Sequence, residues 1–175
     1  MKKLIFSIFF IFIFIFSFIP QSFAQSSYVL PYPSVMPGGI SYKIYNFWQN
    51  ALKYWYFGNF GQFTYNLKES DRFLVQAKTL FEYKQYLLGF TALQQSNEYF
   101  IKINPYLVAA QNEGKDISQK QIILHEAALK HIEVLESLTT IVPKTFLWQP
   151  EKVKATNLNI EEVINQSIKI RQSDL

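Results

Sequence analysis

Cysteine is missing altogether from these 175 residues. No disulfide can brace the fold and no cysteine can carry a lipid, so stability has to come from packing. Other absences narrow the function. Lysine and arginine never cluster, which leaves nucleic-acid binding without an electrostatic footprint. The chain has no glycine-rich phosphate loop, no nucleophile elbow and no pattern of a catalytic triad. No strand pattern and no internal repeat stands out. Only two histidines occur, His125 and His131.

What is present begins with a leader. Lys2 and Lys3 precede an apolar run of 16 residues, Leu4 to Ile19, broken only by Ser7 and Ser17. Pro20 ends the run, and Ser22 and Ala24 place small residues where signal peptidase inspects the chain. The expectation is an exported protein, with residues 1–24 as signal peptide and Gln25 as the mature N-terminus. The run is short for a spanning helix, which needs about 20 apolar residues. An uncleaved signal anchor is the alternative, and it would leave the protein tethered to the membrane. Without the leader, 151 residues remain, enough for one domain with a real core. Without Lys2 and Lys3, 15 basic residues face 13 acidic ones, so the mature net charge is only about +2.

Beyond residue 41 the apolar period is helical almost throughout, and the expected class is all-α. The pattern predicts a bundle of about four long helices and a short C-terminal one, preceded by an extended proline-rich strap. Residues 25–41 form the strap, 42–140 the helical domain, 141–158 an irregular crossing segment and 159–175 the last helix. In the first helix, about 42–57, Ser41 is the expected N-cap. Lys43, Asn46, Gln49, Asn50 and Lys53 share a narrow polar face there, and the remaining surface is apolar, so this helix should be largely buried. Gly58 suits a left-handed stop. A second helix, about 62–82, sets Phe63, Leu67, Phe73, Leu74 and Ala77 against a polar side of Lys68, Asp71, Arg72, Gln76 and Lys78. A third, about 86–111, should kink or break at Pro105. Ser118 with Gln121 reads as a capping box for a fourth helix reaching about Thr140. Asn159 with Glu162 starts the last one.

The strap carries a resemblance. Leu30, Pro31, Tyr32 and Pro33, followed by Met36, Pro37 and Tyr42, resemble the opening signature of the domain-of-unknown-function family 5667. The similarity continues through Ser70, Asp71, Arg72, Leu74 and Ala77, then Ser96 to Tyr99, then Lys130, His131 and Ile132. Gly38, Gly39 and Ile40 depart from the acidic turn and proline of that pattern, Ser34 stands in place of a glycine, and Phe73 and Gln76 in place of Arg and Glu. The resemblance implies an exported or membrane-anchored bacterial helical domain. It implies no activity.

Each candidate site has a structural and a functional reading. The strap is either a proline-rich ligand for an aromatic groove or a segment packed across the helices. Its apolar content favours packing, with Leu30, Tyr32 and Met36 substantially buried. His125 and His131 lie on different faces of one helix and cannot clamp a metal together. His125-Glu126 begins like a zinc-protease motif but lacks its second histidine, so no metal or cofactor is expected. His131 falls within the apolar arc of Ile123, Leu124, Ala127, Val134, Leu135 and Leu138. A buried, hydrogen-bonded histidine is its structural reading, and a pH sensor its functional one. Tyr54, Trp55, Tyr56, Phe57 and Phe60 gather near one helix end, either as core or as a patch for a glycan or a membrane interface. Core packing is the favoured reading. Glu69, Glu98 and Glu126 read as solvated helix faces. The expected function is therefore non-enzymatic: a structural or protein-interaction module of the bacterial cell envelope. The alternative is a binder of a small glycan or lipid through an aromatic-lined groove. The expected partner is a protein or envelope component, with no nucleic acid and with membrane contact only through an uncleaved leader.

Overall fold

The computed structural model describes residues 27–33, 35–152 and 154–175, and only the backbone of Asn50. The leader and its cleavage site lie outside the described residues. Six helices follow the strap: α1 (Ile40–Leu52), α2 (Gly58–Glu82), α3 (Tyr86–Phe100), α4 (Ile103–Asn112), α5 (Ser118–Thr139) and α6 (Ile160–Gln172). Between α5 and α6, β1 (Thr145–Trp148) pairs antiparallel with β2 (Thr156–Asn159), in a register that sets Phe146 opposite Leu158. The protein is all-α apart from this short ribbon. The crossing segment was expected to be irregular. Its strands are too short for an alternating pattern to stand out, and pairing across the intervening loop makes them.

The stops explain why the bundle folds back on itself. α2 ends in a six-residue Schellman arrangement, with Gln85 N–H donating to the Leu80 carbonyl and Lys84 N–H to that of Phe81. Lys84 takes the left-handed conformation at φ 60° that this motif requires, although glycine is its usual occupant. Gly114 serves the same role after α4. The tight return from α2 into α3 then rests on Gly89. A Cβ there would lie 2.8 Å from the Phe81 ring, closer than carbon atoms pack. The predicted third helix is two helices, α3 and α4, broken at Ile101 and Lys102. Pro105 sits in the first turn of α4, where its missing N–H has no partner to lose.

Two expected caps are corrected. The backbone enters α1 at Gly39 without a side-chain cap, so Ser41 lies inside the helix. At α5 the acceptor is Asp116, whose Oδ1 receives Ser118 N–H at 2.9 Å and Ser118 Oγ–H at 2.6 Å. That contact holds the Asp116 carboxyl below its usual range. The Asn159 cap is present, with Oδ1 accepting from Glu162 N–H.

α2 is the central element and packs on α3, α4 and α5, while α6 closes against α3 and α5. None of the close helix pairs involves α1. One apolar cluster joins Phe73, Leu74, Leu93, Leu135, Leu138 and Ile164. A second gathers Phe63, Phe100, Ile103, Leu107 and Leu124 toward the other end. The strap spans both, with Leu30 and Met36 packed on the first and Tyr28 on the second. Among the described residues, no helix is long and apolar enough to cross a membrane.

Candidate functional site

Two regions gather polar or aromatic chemistry, and both use α2. The first is sealed inside. His131 and Arg171 are 0% exposed, and Asp71, Ser70, Ser96, Asn97 and Ser167 are buried around them. Arg171 stands on the apolar face of α6, in spacing with Ile160, Val163, Ile164 and Ser167. Its Nε donates to His131 Nδ1 at 3.2 Å. Nη1 donates to Asn97 Oδ1 and, at 3.0 Å, to the Ser167 carbonyl. Nη2 donates to Ser96 Oγ at 2.8 Å, and the guanidinium stacks over the Phe100 ring at 4.8 Å.

The tautomer of His131 follows from this geometry. Arginine can only donate, so Nδ1 must accept, and the ring proton resides on Nε2. Nε2–H then donates to Asp71 Oδ1 at 2.7 Å. Burial pushes the His131 pKa below its ordinary value, although the Asp71 carboxylate pulls the other way. The imidazole is thus neutral, passing between a buried cation and a buried anion. Burial also draws Arg171 down, to about 9, which leaves it charged at neutral pH. The strap enters here: Tyr28 donates its hydroxyl to Asp71 Oδ2 at 2.6 Å. Burial first, and then the adjacent carboxylate, hold that phenol protonated far above its usual range.

Asp71 and His131 thus form a pair familiar from catalytic sites, but the second ring nitrogen faces a guanidinium rather than a nucleophile. With His131 fully covered, no substrate atom reaches it. The arrangement ties five parts of the chain together: the strap, α2, α3, α5 and α6.

The second region lies on the outside, where α1 crosses α2. Its inner face is mixed, with Asn46 and Gln49 beside Tyr42, Tyr45 and Leu52. Tyr65 Oη donates to the Gln49 carbonyl at 3.4 Å, and Arg72 Nη1 donates to Asn46 Oδ1 at 3.3 Å. Arg72 is held by Glu69 Oε2 at 2.6 Å and stacks on Phe73 and Tyr45. Among the described residues, Glu69 Oε1 and both polar atoms of the Gln76 amide find no hydrogen-bond partner. The outward face carries Ile40, Ile44, Phe47 and Trp48, with Phe47 75% exposed. The turn that follows presents Tyr54, Trp55 and Phe57, with Trp55 78% exposed. Gln62 Nε2 braces this turn by donating to the Lys53 and Tyr56 carbonyls. Between α1, α2 and α3 runs an open groove of about 770 Å³, walled by Phe47, Tyr54, Tyr65, Tyr99 and Tyr106 with Lys53 and Lys102.

Several sequence expectations change. The first helix is not largely buried: it turns Asn46 and Gln49 inward together with Tyr42, Tyr45 and Leu52, and leaves Ile40, Ile44, Phe47 and Trp48 in solvent beside Lys43 and Lys53. Tyr54, Trp55 and Phe57 are exposed surface rather than core, and only Tyr56 and Phe60 are half-buried. In the strap, Leu30, Met36 and Pro37 are half-buried, but Tyr32 is 95% exposed and Pro31 and Pro33 are exposed with it. A proline-rich chain winds with about three residues per turn, so residues two apart such as Leu30 and Tyr32 face different sides and only one of them meets the core. Tyr42, in the first turn of α1, is half-buried. Glu69, Asp71, Arg72 and Gln76 belong to no solvated face; all four are buried. His131 lies where its helical angle put it, and His125 is exposed. Arg171 was missed. An arginine in register with isoleucines on an amphipathic helix was the available signal.

Comparison with protein-family models, curated proteins and solved structures finds no match to this chain. Among the described residues, no group of three or more His, Asp or Glu residues is placed to hold a metal ion.

Proposed function

We propose that this is an exported helical module of the bacterial cell envelope that works by docking, with α1 and the following turn as its contact face. The observation that carries this reading is the inverted seating of α1. An amphipathic helix normally buries its apolar side. Here Ile40, Ile44, Phe47 and Trp48 face outward, and the aromatic turn extends them into a contiguous surface. Apolar patches of this kind on a soluble chain mark interaction sites. The sealed relay supports a non-catalytic role, because its acid–histidine pair serves to hold five segments together. The resemblance to the domain-of-unknown-function family 5667 accords with this assignment. Asp71, Ser96, Asn97 and His131, all part of the resembling stretches, meet in the relay.

A second reading is a binder of a small glycan or lipid, and the aromatic groove favours it. Tyrosine rings accept sugar faces or acyl chains, and Lys53 and Lys102 add positive charge at the rim. Crosslinking with mass spectrometry in native cells tests the first reading. It should return envelope components linked near Lys43 and Lys53, and the links should disappear in a Phe47→Ser, Trp48→Ser chain. Co-purification of a glycan or apolar molecule, without reproducible crosslinks, would replace the first reading with the second.

A further inference from the structure

The geometry points to an anionic lipid surface as the occupant of the outward face of α1, which makes this face a membrane contact separate from the leader. The inference rests on the reading of α1 as the docking face. Three observations select lipid. The first is composition: the exposed face and turn offer Ile40, Ile44, Phe47, Trp48, Tyr54 and Trp55. Tryptophan and tyrosine beside aliphatic side chains suit the boundary between headgroups and acyl chains, where the ring is half in each phase.

The second is charge. No aspartate or glutamate precedes Glu69, and the charged side chains before it are Lys2, Lys3, Lys43, Lys53 and Lys68. Glu69 itself is buried and paired with Arg72, so it presents no negative charge outward. The groove beside the face is lined by Lys53 and Lys102 and by no acid. An anionic bilayer rewards every lysine and repels every acid, and the Glu113 carboxylate bonded to Asn59 beside the turn is itself paired with Lys115. The third is contiguity. Phe47 and Ala51 on α1 and Tyr54 in the turn border the same groove, which joins the helix face to the turn.

The hydrogen-bonded underside of α1 fits this role. Its hydrogen bonds to Tyr65 and Arg72 fix which side faces outward, as an interfacial helix requires.

The test uses the full chain with vesicles whose acyl chains carry bromine, a contact quencher of tryptophan. Single-tryptophan versions retain Trp48, Trp55 or Trp148, with phenylalanine at the other two positions. Trp148 packs against the core cluster and is the internal control. On phosphatidylglycerol-containing vesicles, Trp48 and Trp55 should shift to the blue and lose most of their emission, while Trp148 keeps its own. Lys43→Gln and Lys53→Gln should each weaken this insertion about fivefold, the factor for one lysine near an anionic surface. Because every version carries the same leader, these differences report on the face alone. Unquenched Trp48 and Trp55 would overturn the inference, as would equal quenching of Trp148 or the same quenching on purely zwitterionic vesicles. If quenching fails while Phe47→Ser, Trp48→Ser still removes protein crosslinks in cells, the docking face stands and lipid is the wrong partner. If the crosslinks also persist, both readings fall.

Discussion

α2 buries an arginine-centred cluster on one side and helps to build another on the opposite side, and the two are finished differently. Around Arg171, four arginine hydrogen bonds, a stacked Phe100 ring and both nitrogens of His131 are satisfied within a shell of helices. Around Arg72, the partner Glu69 keeps one oxygen without a hydrogen bond among the described residues, and both polar atoms of the Gln76 amide likewise lack one. The cover there is a single helix outside the close helix pairs. A buried polar group left unpaired costs about 1–3 kcal/mol, so completeness separates a built interior from a seat. The relay belongs to the folded core, and α1 is an attachment held by a few polar contacts.

Removal of each arginine should widen that contrast most. Arg171→Ala strands the Asp71 carboxylate in the interior and is expected to destabilise the fold by about 3–5 kcal/mol. Arg72→Ala should cost only about 1–2 kcal/mol, because α1 can lift and admit water to Glu69. Urea melts of both variants measure the difference, and equal losses would erase the distinction between core and seat. Next in size, His131→Ala should cost about 1–3 kcal/mol, against under about 0.5 for exposed His125→Ala.

The same histidine sets a pH dependence. Its folded pKa lies below the unfolded value near 6.5, so the unfolded chain binds the proton first. The stability tied to neutral His131 is therefore full above about pH 6.5 and is lost as pH falls through the folded pKa. Melts from pH 7.5 to 5 should show this loss in the parent and a flatter profile in His131→Gln. Tyr28→Phe comes next, removing one hydrogen bond to a carboxylate, worth about 1.5–3 kcal/mol where fully buried and less at this half-buried site. Its clearest readout is proteolysis, with cleavage near residues 27–33 accelerating before the melt moves. The smallest effect belongs to the seat. Gln76→Met replaces an unpartnered amide by an apolar chain of similar length and should leave stability within about 1 kcal/mol or raise it. A large loss would mean that Gln76 is as fully engaged as Asn97.

Much of the scaffold was legible. The helical period placed α2, α5 and α6 within a few residues, and the angle of His131 on an apolar arc foretold its burial. Composition and spacing misled at α1, where an apolar face was assumed to point inward. They misled again at Glu69, Asp71, Arg72 and Gln76, which read as a solvent stripe. Both errors have one cause. A helical wheel ranks faces by polarity alone, and it cannot register an ion pair or an arginine arriving from residues a hundred positions away.

Local chemistry thus decides whatever depends on neighbours in sequence: the helical class, the Asn159 cap, the break before Pro105 and the basic, apolar start of the chain. Only the tertiary structure decides which charges go inside. Burying a charge is unfavourable until its partners converge, and Asp71, His131 and Arg171 meet only once α2, α5 and α6 have packed. The same packing leaves α2 a polar outer stripe, and that stripe turns α1 over so that its phenylalanine and tryptophan face outward.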